Sequence, residues 1–225
     1  MEKKFNIDEE FFNERMQEAW ETYPTPSPKP GTRIGYCVDV GANVGAFSIL
    51  FSKYCDKVIA IEPYKPNYDF MVNKIKELKI DNIITYNKAI SSVDGEIIDM
   101  NITTHESDSK DISTANPEQW ENHYSKDVIN LGSVETISYS YIHKNYPHIG
   151  YMKVDCEGCE YDFLMGSPLK NVQLLTLEVH SGYIGKKKKI ELLNYLETQF
   201  KTMFPNPQSN DVLNFLNIET SVTFK

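Results

Sequence analysis

Residues Tyr36 to Phe47 read Tyr-Cys-Val-Asp-Val-Gly-Ala-Asn-Val-Gly-Ala-Phe, and no other stretch limits the possible folds as strongly. Cys37, Val38 and Val40 form an apolar, mostly β-favouring run of the kind a central parallel strand needs. Gly41 and Gly45 then bracket a turn in which backbone can approach a ligand closely. Val44, Phe47, Phe51 and Tyr54, with Leu50 beside them, recur at helical spacing. The polar residue inside the strand is Asp39, and a carboxylate placed there calls for something to pair with it.

Two cofactor classes use a glycine turn after a first strand. Dinucleotide enzymes want glycine at three places, so that a pyrophosphate can rest on the helix N-terminus. Counted from Gly41, those places hold Gly41, Asn43 and Ala46. The S-adenosylmethionine pattern instead sets an acid two residues before the first glycine, where this chain has Asp39. That ligand carries an ammonium and a sulfonium, which a nearby carboxylate attracts; the same carboxylate repels a pyrophosphate.

The chain has 225 residues and a net charge of −9. Its length fits one domain of ordinary size, able to bury about 70% of its unfolded surface. The negative charge argues against nucleic acid as the main partner. No apolar run approaches the length of a membrane span, and Met1 to Lys4 lead into acids and polar residues rather than a signal-peptide core. Four cysteines are too sparse for a secreted disulfide framework, so a soluble, cytoplasmic protein is expected.

Residues 6–23 predict an amphipathic helix with Phe12, Met16, Ala19, Trp20 and Tyr23 on one face and Asn6 or Asp8 as its cap. The prolines and glycine between Pro24 and Gly31 end it. Residues 1–33 are therefore read as a helix and Pro-rich linker, and 34–225 as the main domain. The helix is expected to pack on the flank of that domain; a flap over the ligand cleft or a dimer contact is the sharper alternative.

Lys57 to Ile61 predict a second strand, ending in Glu62-Pro63. Glu62 lies about twenty residues beyond the glycine turn, where such folds place an acid on ribose hydroxyls. Tyr68, Met71, Val72, Ile75 and Leu78 mark a helix, and Ile83 to Tyr86 a third strand. Asn87 and Ala89 follow at its end, where an adenine edge lies in a doubly wound sheet. At Asp94-Gly95 the rhythm breaks into a turn, with a strand from Glu96 to Ile102. The polar stretch Thr103 to Lys126, inside an insert at about 99–132, reads equally as a surface loop or a substrate lid. Ordered structure resumes from Val128 to Ile142.

Tyr151 to Val154 predict a strand with Asp155 at its end; Glu157 and Gly158 turn into a short helix that Gly166 caps. Leu174 to His180 form a buried strand ending in Glu178 and His180. Acids thus stand at the carboxyl ends of strands, where open α/β sheets place their ligands. Lys187 to Phe200 predict the next helix. The tail from Lys201 fits an antiparallel hairpin with its turn at Pro205 to Asn210.

Val-Asp-Val-Gly-Ala-Asn-Val-Gly at 38–45, Glu62-Pro63, Lys-Val-Asp-Cys-Glu-Gly-Cys-Glu at 153–160 and Leu-Glu-Val-His at 177–180 occur in that order. Over about residues 34 to 182 the chain resembles the FkbM family of S-adenosylmethionine-dependent methyltransferases. The resemblance implies a Rossmann-like, doubly wound α/β sheet of seven strands, mostly parallel with one antiparallel strand. It also implies methyl transfer to a hydroxyl, for which a small molecule or carbohydrate is the expected acceptor. It places Asp39, Gly41, Asn43 and Gly45, with Ala42 between them, at the methionine part of the cofactor. Glu62, with Pro63, falls at the ribose, and Asp155 and Glu157 face the transfer cleft, Asp155 touching the cofactor as well. Where the family commonly carries an aspartate in a strand-to-helix turn, this chain reads Thr136-Ile-Ser-Tyr-Ser-Tyr.

An alcohol is a poor nucleophile, so a base within hydrogen-bond reach of it is expected. His180, at a strand end and near-neutral in titration, is the first candidate; the alternative is a structural histidine packed beside Glu178. Asp155 and Glu157 can share the role. Cys156 and Cys159 spell C-x-x-C, but a partner pair is missing, so small-residue packing is expected and no metal. Two other readings compete. A nicotinamide-dependent oxidoreductase is opposed by Asn43 and Ala46. A non-catalytic cofactor-fold protein, acting through the Trp20 helix or the polar insert, is opposed by the full set of acids.

Overall fold

A computed structural model describes residues 7–24, 26–27, 33–103, 128–206, 209–217 and 223–224. The first helix, α1 (Glu9–Thr22), is capped by Asp8, whose carboxylate accepts from the Phe11 amide at 3.0 Å. After the short strand β1 (Pro26–Ser27), the glycine-turn unit forms as β2 (Ile34–Val40) and α2 (Ala46–Phe51). Strand β3 (Cys55–Ile61), helix α3 (Lys65–Glu77) and strand β4 (Ile83–Tyr86) continue the alternation. Three strands follow, β5 (Ala89–Ser91), β6 (Ile97–Thr103) and β7 (Val128–Ser138). The chain then runs through α4 (Tyr139–Asn145), β8 (Ile149–Val154), α5 (Glu160–Leu164), β9 (Leu174–Glu178) and α6 (Ser181–Gln199). It closes with β10 (Thr202–Asn206), β11 (Ser209–Leu216) and β12 (Thr223–Phe224), the last pairing with β1.

Seven strands make one sheet in the order β10-β11-β9-β8-β2-β3-β4. β11 runs antiparallel to both neighbours and the remaining pairs are parallel. This is the mostly parallel sheet with one reversed strand that the family resemblance implies, and the tail hairpin supplies the reversal.

Strand alternation divides the core in two. Val38, Val40, Ile59, Ile61, Met152 and Leu175 face one side, with Ile142 of α4, Phe163 of α5 and Leu192 of α6. Cys37, Val58, Tyr151 and Leu174 face the other, with Phe11 and Ala19 of α1, Phe47 and Phe51 of α2 and Met71 of α3. Helices on both faces make the sheet doubly wound. Phe47 and Phe51 stack at 4.0 Å, and both meet the Tyr151 ring edge-on. Each side chain so buried contributes about 1.5–3 kcal/mol.

Two features differ from expectation or extend it. In α1, Trp20 is 56% exposed whereas Phe11 is fully buried. The buried arc is centred on Ala19, and Trp20, the next residue, falls about 100° round the helix from it. β7 pairs in parallel with β5 and antiparallel with β6. The result is a separate three-stranded sheet around Ala89, Met100 and Val134, a long-range pairing that no local pattern announces. The polar stretch after Thr103 lies outside the described residues. Among the described residues no helix is long and apolar enough to cross a membrane.

Candidate functional site

The turn after β2 holds three residues with left-handed backbone, Gly41 (φ +73°), Asn43 (φ +50°) and Gly45 (φ +84°). The Asp155 amide donates to the Val40 carbonyl at 3.2 Å, drawing the ends of β2 and β8 together. A Cβ at Gly41 would consequently stand 1.7 Å from the Asp155 carbonyl oxygen, so only glycine fits. The amides of Gly41 and Ala42 donate to the Ile61 carbonyl at 3.0 and 2.9 Å, which ties the turn to the end of β3. Asn43 is pinned from two sides. Its amide donates to Glu62 Oε2 at 2.8 Å, and its own Oδ1 accepts from the Val44 amide at 2.8 Å. The other Glu62 oxygen accepts from the Tyr64 amide at 2.8 Å. Burial pushes the Glu62 carboxyl up to about 7 in spite of both amides.

Behind the turn, Asp39 is fully buried. Its Oδ2 accepts from the Ser48 hydroxyl at 2.6 Å and its Oδ1 lies 3.5 Å from Lys153 Nζ. The strand register sets Asp39 opposite Lys153, so the missing counter-charge stands on the next strand. Lys153 Nζ also donates to the Gly41 carbonyl at 2.8 Å, lies 3.3 Å from Asp155 Oδ2 and sits 5.7 Å from the centre of the Tyr23 ring. Burial works against its charge, but the neighbouring Asp155 and Asp39 outweigh it and hold the ammonium well above its ordinary value. Burial likewise raises the Asp39 carboxyl, more than Lys153 and Ser48 lower it.

At the ends of β8 and β9 the chain gathers carboxylates. His180 Nδ1 lies 2.6 Å from Glu160 Oε1, and its Nε2 lies 3.2 Å from Glu157 Oε2, 3.8 Å from Asp155 Oδ1 and 3.9 Å from Glu178 Oε1. Burial disfavours an imidazolium, yet the bond to Glu160 and the charges of Glu157 and Asp155 raise the ring to about 10. Burial and the charge of Asp155 push Glu178 up to about 7. Asp155 goes the other way: burial raises it, and Lys153 and His180 more than offset that, leaving it below the ordinary carboxylate range. Carboxylates at both nitrogens favour the charged ring, and a charged ring has no lone pair to offer, which works against the general-base role expected of His180.

One cleft joins the two sides. Gly41, Ala42, Asn43, Glu62, Pro63, Asp155 and Glu157 all line it, so most of the sequence-predicted site residues come together. Five do not line it, His180 among them. Asp39 supports the turn from behind and Gly45 caps α2 with its Cα against Met71. Asn87 spends its side-chain amide on the Glu62 and Pro63 carbonyls, at 2.9 Å each, and Ala89 is buried in the small sheet. Ile90 lines the cleft instead. Lys153, Glu178 and the α1 residues Arg15, Glu18 and Tyr23 also line it and are absent from the predicted set. A lysine inside the apolar strand Ile149–Val154 was a readable signal for the first. Cys156 faces the cleft as a thiol whose titration burial pushes up, and Cys159 leads into α5. Neither forms a disulfide.

A family model described as the methyltransferase FkbM domain matches residues 39–219. No curated protein matches the sequence significantly. Among solved structures, the chain is similar to methyltransferase FkbM from Methylobacillus flagellatus KT, with a TM-score of 0.51, 13% identity and coverage of 89% of this chain. It spans 50% of that protein's length. Precorrin-6y C5,15-methyltransferase from Geobacter metallireducens GS-15 gives a TM-score of 0.47 at 8% identity, covering 96% of this chain and 91% of that one. TrmK from M. capricolum, in complex with S-adenosyl-homocysteine, gives 0.44 at 7% identity, with coverage of 90% and 67%. Likeness at such identities speaks to the fold alone.

Proposed function

The chain belongs to the methyltransferase FkbM domain family, and on that premise we propose that it methylates a hydroxyl of a small molecule or carbohydrate. Its methyl donor is S-adenosylmethionine. The residues suit that donor on two counts. Each oxygen of Glu62 accepts one amide and keeps a lone pair for a ribose hydroxyl. The cleft wall is rich in carboxylates, which favours a sulfonium and an ammonium over a pyrophosphate. In this reading the backbone of Gly41, Ala42 and Asn43 holds the methionine part, Glu62 and Pro63 the ribose, and Ile90 the base.

The observation that carries the proposal is the convergence of Glu62, Asp155 and Glu178, from the ends of three different strands, on one cleft. When bound, the donor supplies a methyl group activated by a positively charged sulfur. The chain's part is to hold an acceptor oxygen close and aligned, and to manage its proton. Asp155, kept ionised beside Lys153, accepts the hydroxyl's hydrogen bond, and Glu157 takes the proton in place of His180. Helix α1 and the residue after it serve the domain as a wall of this cleft through Arg15, Glu18 and Tyr23. The acidic wall and the net charge of −9 disfavour nucleic acid as acceptor, and cysteines kept out of disulfides fit a cytoplasmic setting.

A methyl-transfer assay with a panel of hydroxyl acceptors tests this reading. Glu157→Gln should lower kcat by about 100-fold or more; unchanged turnover would remove Glu157 from the role.

A further inference from the structure

Asp155, Glu178 and His180 offer one carboxylate oxygen each and a ring nitrogen, all within 4.8 Å of one another, at the ends of two adjacent parallel strands. We propose that these three side chains form a binding site for a divalent cation of the Mn2+ or Zn2+ class, at the stretch of cleft wall that Asp155 and Glu178 line.

Glu157 Oε2 is within hydrogen-bond reach of His180 Nε2 at 3.2 Å, whereas Asp155 Oδ1 at 3.8 Å and Glu178 Oε1 at 3.9 Å stand beyond that length, leaving those two carboxylates free to share an ion with the ring. Ligand atoms at about 2.1 Å from a common ion lie roughly 3.0–3.6 Å apart, so a small rotation of each carboxylate completes the set. The imidazole is already oriented for this. Its Nδ1 donates to Glu160 Oε1 at 2.6 Å, and that oxygen also accepts the Gly158 amide at 3.0 Å. A carboxylate behind the far nitrogen is how metal-binding histidines are usually aimed.

A second observation is independent of the cluster's own spacing. Glu160 is 0% exposed, and its Oε2 has no hydrogen-bond partner among the described residues. A fully buried, half-satisfied carboxylate beside an imidazole indicates that the group is short of positive charge. Glu157, Asp155, Glu160 and Glu178 surround His180, and Lys153 is shared between Asp155 and Asp39. An ion would replace the Nε2 proton and supply the additional charge. One imidazole with two carboxylates suits Mn2+ or Zn2+. The site does not depend on the methyl-transfer reading.

Mn2+ titrated into the chelator-treated full chain, followed by loss of the free-ion paramagnetic resonance signal, tests the proposal, with Zn2+ as competitor. One ion per chain is expected, displaced by Zn2+. Affinity should fall at least tenfold in Glu178→Gln and in His180→Gln. If His180→Gln does not fold, as judged by its circular dichroism and melting curve, Glu178→Gln decides alone. Absence of binding by both ions, or Mn2+ affinity unchanged in Glu178→Gln, would overturn the assignment.

Discussion

The two sides of the cleft are stabilised in opposite ways. On the turn side the polar groups are paired with backbone. Both Glu62 oxygens accept amides, Asn43 caps its own successor, and the amides of Gly41 and Ala42 share the Ile61 carbonyl. On the β8–β9 side four carboxylates face a single imidazole. The first side is fixed in shape before any ligand arrives; the second is fixed only to the extent that positive charge is supplied. A ligand held across both is therefore positioned by the turn and attracted by the acids. Lys153 couples them, since it donates to the Gly41 carbonyl and neutralises Asp155.

Removing that coupling gives the largest expected effect. Lys153→Met leaves Asp39 without its cation and Asp155 with His180 alone, and losing one partner of a buried ion pair costs about 3–5 kcal/mol. Urea unfolding measures it, and a loss below about 1 kcal/mol would mean that the two sides stand independently. Gly41→Ala attacks shape alone. The left-handed backbone costs about 1–2 kcal/mol and the overlap with the Asp155 carbonyl about 1–3 kcal/mol. Donor binding should be lost with it, and near-native affinity for S-adenosylmethionine in a folded Gly41→Ala protein would break the account of the turn.

Glu62→Ala should weaken donor binding by about 1–3 kcal/mol, as for a lost charge-assisted hydrogen bond. The same residue predicts a pH dependence. Its folded titration near 7 lies above the ordinary glutamate value of 4.5, so the unliganded protein retains a proton there through the acid range. The stability tied to that proton is fully present below about 4.5 and is lost as pH rises through about 7. Ribose hydroxyls need the ionised form, so affinity should climb from pH 6 to pH 8, with protons released on binding at the lower pH. Calorimetry in buffers of different ionisation enthalpy reads both. The smallest effect belongs to Trp20→Ala, which should change stability by no more than about 0.5 kcal/mol, in contrast to about 3–5 kcal/mol for Phe11→Ala on the buried arc of the same helix.

Much of this was legible in the residues because the signals are local. The strand, turn and helix at Tyr36 to Phe47, Glu62 at the end of β3 and the reversed tail hairpin all follow from patterning within a few residues. What escaped depends on register or on distance. Asp39 announces a missing partner, but nothing in its own segment says that the pleat aligns it with Lys153. His180 reads as a base because Glu160, twenty positions earlier, shows its effect only once α5 is folded against it. Asn87 and Ala89 were placed at the base edge by their position after β4. The chain instead turns there into β5, whose partner is the distant β7, and Ile90 takes the place facing the cleft.

The central claim is that carboxylates from separate strand ends meet in one cleft because a cationic nucleoside donor docks there. Calorimetric titration of S-adenosylmethionine into the wild-type chain and into Glu62→Ala tests it most directly. The account predicts one site per chain, weakened roughly 10- to 100-fold in the variant. No binding by the wild-type chain, or equal affinity in both proteins, would contradict it.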